Sequence, residues 1–207
     1  SGRNNAPDRE ILHEAHAQEV KIMYKESRRE KKSGKGGSVL TKIRSIKAID
    51  IAKTGIFASL IFLSTAFLKV PIALGYIHAG DIVIFVSCYF LKPRYAAISA
   101  GIGSMFADLL AGYVIYMPVT LVVKALMALI AGVIVYKKTD VYRLVTGYIF
   151  AGLFMVGGYL VFEGFYYGWA PAIANVPFAL IQPAVAIAAA VPMVLLFSRI
   201  RGIEKYR

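Results

Sequence analysis

The chain has 207 residues, of which 58% are hydrophobic and 17% charged, an apolar share well above the roughly 45–50% usual for soluble domains. Net charge is +12, but half of the 24 Lys and Arg lie before Ala48 together with half of the acids, so the basicity is local and argues against a nucleic-acid-binding domain. The single cysteine, Cys88, sits inside an apolar run, which excludes a disulfide framework, a cysteine-based metal site and dithiol redox chemistry.

Residues 1–47 form a hydrophilic, basic extension. Ile11 to Lys32 fits a helix with Leu12, Ala15, Val20 and Met23 loosely on one side, until Ser33-Gly34-Lys35-Gly36-Gly37-Ser38 breaks it. That thin apolar face favours a tail over a helix lying on the membrane surface. The glycine-lysine run lacks the spacing of a phosphate-binding loop, and His13 and His16, three residues apart in a polar tail, do not make a metalloprotease helix. A hydrophilic stretch of this length is unlike a cleavable secretory signal, so the first helix is expected to be retained.

Six apolar segments follow, at 49–68, 80–91, 95–112, 118–136, 143–165 and 172–198. They predict an all-α integral membrane protein with a six-helix membrane domain over 48–198 and a basic tail over 199–207. A bilayer core of about 30 Å requires about 20 helical residues. The second helix is therefore short and must tilt, join its neighbour or be shielded by protein, whereas Pro177, Pro183 and Pro192 predict kinks in the long sixth helix. The N-terminal extension, the Lys92-Pro93-Arg94 turn, the turn from Lys137 to Arg143 and the C-terminal tail are basic. The connections 69–80, 112–118 and 164–171 carry almost no positive charge. With six spans, this division puts both termini in the cytoplasm and the quiet loops outside.

Those outer connections hold Tyr76, His78, Tyr113, Tyr116, Phe165, Tyr166, Tyr167 and Trp169, whereas the inner ones hold only Tyr95, Tyr136 and Tyr142. A plain interfacial belt would furnish both sides. Apart from Asp50 and Lys53 near the start of the first span and Arg143 at the start of the fifth, the charged residues within the spans are Asp81, Asp108, Lys124 and Glu163, and Asn175 and Gln182 are their uncharged companions. Helical rise places all six in the outer half of the bundle, where an outward-opening polar cavity walled by rings would suit a flat polar solute. Glu163 and Asn175, beside the aromatic fifth loop, favour ligand contact. Two structural alternatives stand beside ligand contact for the others: Asp108 paired with Lys124 between the third and fourth helices, and Asp81 with His78 capping the second helix.

Three stretches in order carry a resemblance: Gly75-Tyr76-Ile77-His78-Ala79-Gly80-Asp81; Gly101-Ile102-Gly103-Ser104-Met105-Phe106-Ala107-Asp108-Leu109-Leu110-Ala111-Gly112-Tyr113; and Tyr116-Met117-Pro118-Val119-Thr120 with Lys124. Over about residues 70–132 the chain resembles the substrate-binding S components of energy-coupling-factor (ECF) vitamin transporters, and the specificity lies in the ordered combination. The resemblance implies a six-helix subunit of a prokaryotic plasma membrane that captures a water-soluble vitamin or precursor from outside and has no cofactor of its own. Its partners would be a transmembrane T component and two ABC ATPases, which use the ATP. Docking in that family runs through small residues of the first helix, here Ala48 and Ala52, with Gly55 and Ser59 continuing the face one turn on. The expected substrate-binding set is His78, Asp81, Asp108, Tyr113, Tyr116 and Lys124, then Glu163, Tyr166, Tyr167, Trp169, Asn175 and Gln182. Rings with one ionisable group of each sign nearby suit pyridoxine or a hydroxymethylpyrimidine. An intramembrane enzyme using Asp108, Glu163 or His78 remains an alternative, although no Ser/His or dense His/Glu set stands at catalytic spacing. So does a stand-alone facilitator, although the inner half lacks a polar path.

Overall fold

The computed structural model describes residues 18–19, 21–28, 48–72 and 75–200, and the chain divides into two compact units, Ser1–Ile46 and Lys47–Arg207. In the first unit, residues 18–19 and 21–28 are helical. The remainder of the Ile11–Lys32 helix, the glycine-rich break and residues 201–207 of the basic tail lie outside the described residues.

The second unit runs α1 (Ala48–Phe67), β1 (Lys69–Ile72), β2 (Gly75–His78), α2 (Gly80–Phe90), α3 (Pro93–Ala111), a 3-10 turn (Val114–Tyr116), α4 (Met117–Val135), α5 (Val141–Tyr167) and α6 (Trp169–Arg199). Each predicted apolar segment becomes one helix. Four of them, α1, α4 with its preceding turn, α5 and α6, are long and apolar enough to cross a membrane. α3 has comparable length, 19 residues, but its sequence includes Arg94, Asp108, Ser99, Gly101, Gly103 and Ser104, which lower its hydropathy. α2 has only 11 residues, about 16 Å of rise. It is shielded by protein: Asp81, Ile84, Phe85, Ser87 and Cys88 are all fully buried.

One element departs from the all-helical reading. The first outer connection is an antiparallel hairpin, with Lys69 opposite His78, Val70 opposite Ile77 and Pro71 opposite Tyr76. A two-stranded ribbon has only edge strands, so Pro71, which lacks an N–H, is tolerated there. Strand alternation sends Tyr76 and His78 to the same face.

Local chemistry fixes the helix ends. Pro93 starts α3, where a missing N–H costs nothing. Gly112, at φ 82°, ends it in the left-handed conformation. The Asp140 carboxylate accepts from the Arg143 N–H at 3.1 Å and caps α5. α3 packs between α1 and α4, α5 packs between α4 and α6, and α2 is enclosed by α1, α4 and α6. Ion pairing between Lys92 Nζ and Asp50 Oδ2 at 2.6 Å ties the α2–α3 turn to the first turn of α1. α6 continues as one helix through its three prolines.

The half of the bundle away from the hairpin has a mainly apolar core among the described residues. Ile84, Phe85, Met127, Leu144, Tyr148 and Val194 are fully buried there. Tyr148 stacks on Phe85 at 4.4 Å and satisfies its hydroxyl on the Phe85 carbonyl at 2.9 Å, so this buried polar atom is absorbed internally.

Candidate ligand-binding site

At the hairpin end the helices present polar groups at helical spacing. Ser104 and Asp108 on α3 are four residues apart, as are Thr120 and Lys124 on α4, and each pair therefore shares a face. Met155, Tyr159 and Glu163 form the matching stripe on α5, and Asn175, Ala179 and Gln182 that on α6. With Thr65 of α1 and the hairpin residues Tyr76, Ile77 and His78, these faces enclose a cavity of about 70 Å³.

The deepest charges neutralise one another. Lys124 is fully buried, and its Nζ lies 2.6 Å from Asp81 Oδ1. Gln182 Nε2 donates to Asp81 Oδ2 at 2.6 Å, while its Oε1 accepts from the His78 N–H at 3.3 Å. Two readings are corrected here. Lys124 pairs with Asp81 and not with Asp108, because α2 carries the Asp81 carboxylate fully out of water, where it requires a cation. Asp81 is also no wall group: both its oxygens are used and it stands behind Lys124. The α2 cap belongs to His78 alone, whose Nδ1 accepts from the Gly80 N–H at 3.1 Å. Burial, and then the nearby Lys124 ammonium, push the His78 imidazole down to about 3. It is therefore neutral, and with Nδ1 accepting, its proton sits on Nε2.

Asp108 is held from the hairpin. The Tyr76 hydroxyl donates to its Oδ1 at 2.5 Å, and the Tyr76 ring packs on Tyr113 at 5.1 Å and His78 at 5.6 Å. Burial and the adjacent carboxylate raise the Tyr76 phenol far above its usual range, so it remains a donor. On the opposite wall Glu163 accepts from Asn175 Nδ2 at 3.0 Å and, more loosely, from the Tyr116 hydroxyl at 3.4 Å. Tyr159 donates to Thr120 Oγ1 at 3.1 Å. Among the described residues, four buried side-chain polar atoms have no hydrogen-bond partner of ordinary geometry: Thr65 Oγ1, Ser104 Oγ, Asp108 Oδ2 and Asn175 Oδ1, although Thr120 lies beside Asp108. All four belong to residues of the cavity wall. Buried polar atoms are nearly always satisfied, and the clustering of these four in one place marks where a polar ligand would fit.

His78, Asp108, Tyr113, Tyr116, Lys124, Glu163, Asn175 and Gln182 therefore meet at the cavity. Tyr166, Tyr167 and Trp169 do not line it. α5 extends through Tyr167, two residues past the expected end, and carries Tyr166 and Tyr167 onto an exposed rim, which Trp169 joins from the start of α6. Tyr167 stacks on Tyr116 at 6.4 Å, Tyr166 on Phe162 at 5.7 Å, and Trp169 meets Phe165 at 5.7 Å. Thr65, Ser104, Thr120 and Tyr159 are wall groups that the sequence reading passed over. The four small residues of α1, Ala48, Ala52, Gly55 and Ser59, are all exposed.

Tyr76→Phe deletes a hydrogen bond to a carboxylate, worth about 1.5–3 kcal/mol. Faster amide exchange across residues 69–78, with α5 unchanged, is the expected result; unaltered exchange would show that Tyr76 does not hold the hairpin down.

Comparison with known proteins gives this geometry a family. A relative from Lactococcus lactis subsp. cremoris (strain MG1363), named thiamine precursor transporter HmpT, is 31% identical over 102 residues, covering 49% of this chain and 57% of that protein. An uncharacterized protein of Pyrococcus woesei is 31% identical over 108 residues, covering 52% of this chain and 72% of the other. The chain thus spans little more than half of HmpT. The family described as ECF-type riboflavin transporter, S component, matches residues 45–199, from just before α1 to the last residue of α6. It is a family of multi-pass membrane transporter components and not of enzymes, and the present chain belongs to it.

Proposed function

We propose that the protein captures a small, water-soluble vitamin or vitamin precursor in the hairpin-covered cavity and delivers it inward as the S subunit of an ECF importer. The observation that carries this reading is the convergence, among the described residues, of four buried polar atoms that lack a hydrogen-bond partner of ordinary geometry on one ring-walled cavity. All six helices cross or are embedded in the membrane, both termini face the cytoplasm, and the hairpin faces outward, in keeping with the one-sided distribution of Lys and Arg. The membrane is the plasma membrane of a prokaryote.

Wall chemistry bears on the ligand. Aromatic rings and ionisable groups of both signs around a cavity of about 70 Å³ suit a flat polar ring with small arms. Pyridoxine and a hydroxymethylpyrimidine fit that description. The name of the Lactococcus relative points the same way.

In this mechanism Tyr76 and His78 close over the bound ring from the hairpin. In keeping with the mainly apolar inner core of the described residues, the loaded subunit reorients against a T component, with ATP used by two partner ATPases. α1 offers the docking face. The test is uptake into proteoliposomes. The chain alone is expected to bind but not accumulate the compound, and the chain with T component and ATPases to accumulate it only with ATP. Accumulation by the chain alone would instead identify a facilitator.

A further inference from the structure

We infer that the cavity selects a neutral or cationic ring that donates at least two hydrogen bonds, and that it rejects carboxylated and phosphorylated compounds. This inference rests on the reading of the cavity as a capture site, and it adds a charge and donor rule to that reading.

Charge comes first. Lys124 is the only Lys or Arg on the described cavity wall, and it is committed to Asp81 at 2.6 Å with both side chains out of water. Two more carboxylates, Asp108 and Glu163, stand on the wall with neutral donors beside them: Tyr76 and Thr120 for the first, Tyr116 and Asn175 for the second. Lys69 sits outside, 5.2 Å from the Tyr76 ring. A ligand carboxylate or phosphate would therefore enter a poorly screened space whose wall already holds two carboxylates outside any ion pair among the described residues. An ammonium or a protonated ring nitrogen would be welcomed there.

Donor count follows from the unsatisfied atoms. Asn175 Nδ2 is directed at Glu163, which fixes the amide orientation and leaves Oδ1 as the atom without a partner. A carboxylate oxygen and an amide oxygen only accept. Asn175 Oδ1 can receive an N–H or O–H from the ligand, and so can Asp108 Oδ2, which has Thr120 beside it, whereas the Thr65 and Ser104 hydroxyls can serve donors or acceptors. An amino group beside a hydroxymethyl arm, or two hydroxyl-bearing arms, meets this requirement. An acceptor-rich acid does not.

The experiment compares pairs of probes that share a ring but differ in charge: 4-amino-5-hydroxymethyl-2-methylpyrimidine and its phosphate, pyridoxine and its 5′-phosphate, nicotinamide and nicotinate. Binding to the detergent-purified full chain is read by Trp169 fluorescence and calorimetry. In at least one pair the uncharged member is expected to bind about 100-fold or more tighter than its anion, since like-charge contacts cost several kcal/mol. Asp108→Asn is expected to weaken the uncharged ligand by about 10–100-fold and to improve the anion, narrowing the ratio. An anion that binds as tightly as its uncharged partner overturns the charge rule and leaves the capture reading intact. An unchanged ratio in Asp108→Asn, in protein that elutes as a folded monodisperse species, overturns the role of Asp108. Failure of every probe to bind such protein overturns this inference and the capture reading together.

Discussion

Lys124→Met is expected to cost the fold about 3–5 kcal/mol, the usual penalty for removing one partner of a buried ion pair. Methionine approximates the lysine stem in volume, so little of the loss is packing. What remains is the fully buried Asp81 carboxylate, with Gln182 Nε2 as its one side-chain donor. Asp81→Asn should be comparably harmful, because it strands an ammonium whose other close neighbours are the Met155 sulfur at 2.9 Å and the Tyr159 ring at 5.7 Å. The double variant removes both charges and lets the new amide keep the Gln182 contact. It should therefore be more stable than either single variant alone. Thermal unfolding in detergent, followed by Trp169 emission, measures the cycle. Strictly additive losses would mean that the pair contributes no coupling and that the Lys124 stem is held by packing alone.

Much of the helical frame was legible because hydropathy reports helices directly: every apolar segment became a helix with ends within a few residues of expectation. The charged corners of the cavity were legible too, since Asp108, Lys124 and Glu163 have no cheap place in an apolar span except an enclosed polar space. Partner choice was not. Asp81 and Asp108 are equally acidic on paper, and only the burial of α2 decides which one holds Lys124. The hairpin was missed because a short strand pair carries a weaker pattern than a helix, and Pro71 reads as a loop signal. Ser104, Thr120 and Tyr159 had a usable signal, since each precedes a charged wall residue by four positions. Hydroxyl side chains also satisfy themselves on helix carbonyls, as Thr54, Ser59 and Ser64 do in α1. A hydroxyl in an apolar helix is therefore a signal only when read together with its charged neighbour. Tyr166, Tyr167 and Trp169 stand at the rim and not on the wall for the opposite reason: aromatic character alone does not tell which way the last turn of α5 and the first turn of α6 point.

Gly55→Leu is expected to abolish ATP-dependent uptake while leaving folding and ligand binding at the level of the unsubstituted protein. A β-carbon at Gly55 meets nothing within 4 Å, so the fold has room for the side chain, and replacing a helical glycine adds roughly 0.5–1 kcal/mol of helix stability. Ala52, Gly55 and Ser59 are exposed, and small residues let a partner helix approach closely; a leucine there would hold a T component away. Gly103, on the inward side of the same helix pair, supplies the control. A β-carbon at Gly103 would lie 2.5 Å from the Ala58 carbonyl oxygen and 3.1 Å from Ile61 Cβ, so α1 must shift off α3. Gly103→Leu should lower stability by about 1–3 kcal/mol or more through overpacking, and binding and uptake should fall together. The two variants separate assembly from folding. Co-purification with the T component and ATPases, set beside ligand binding by the isolated chain, reads both. Normal assembly and uptake in Gly55→Leu would mean that the small residues of α1 serve only lipid contact and that the T component docks on another face.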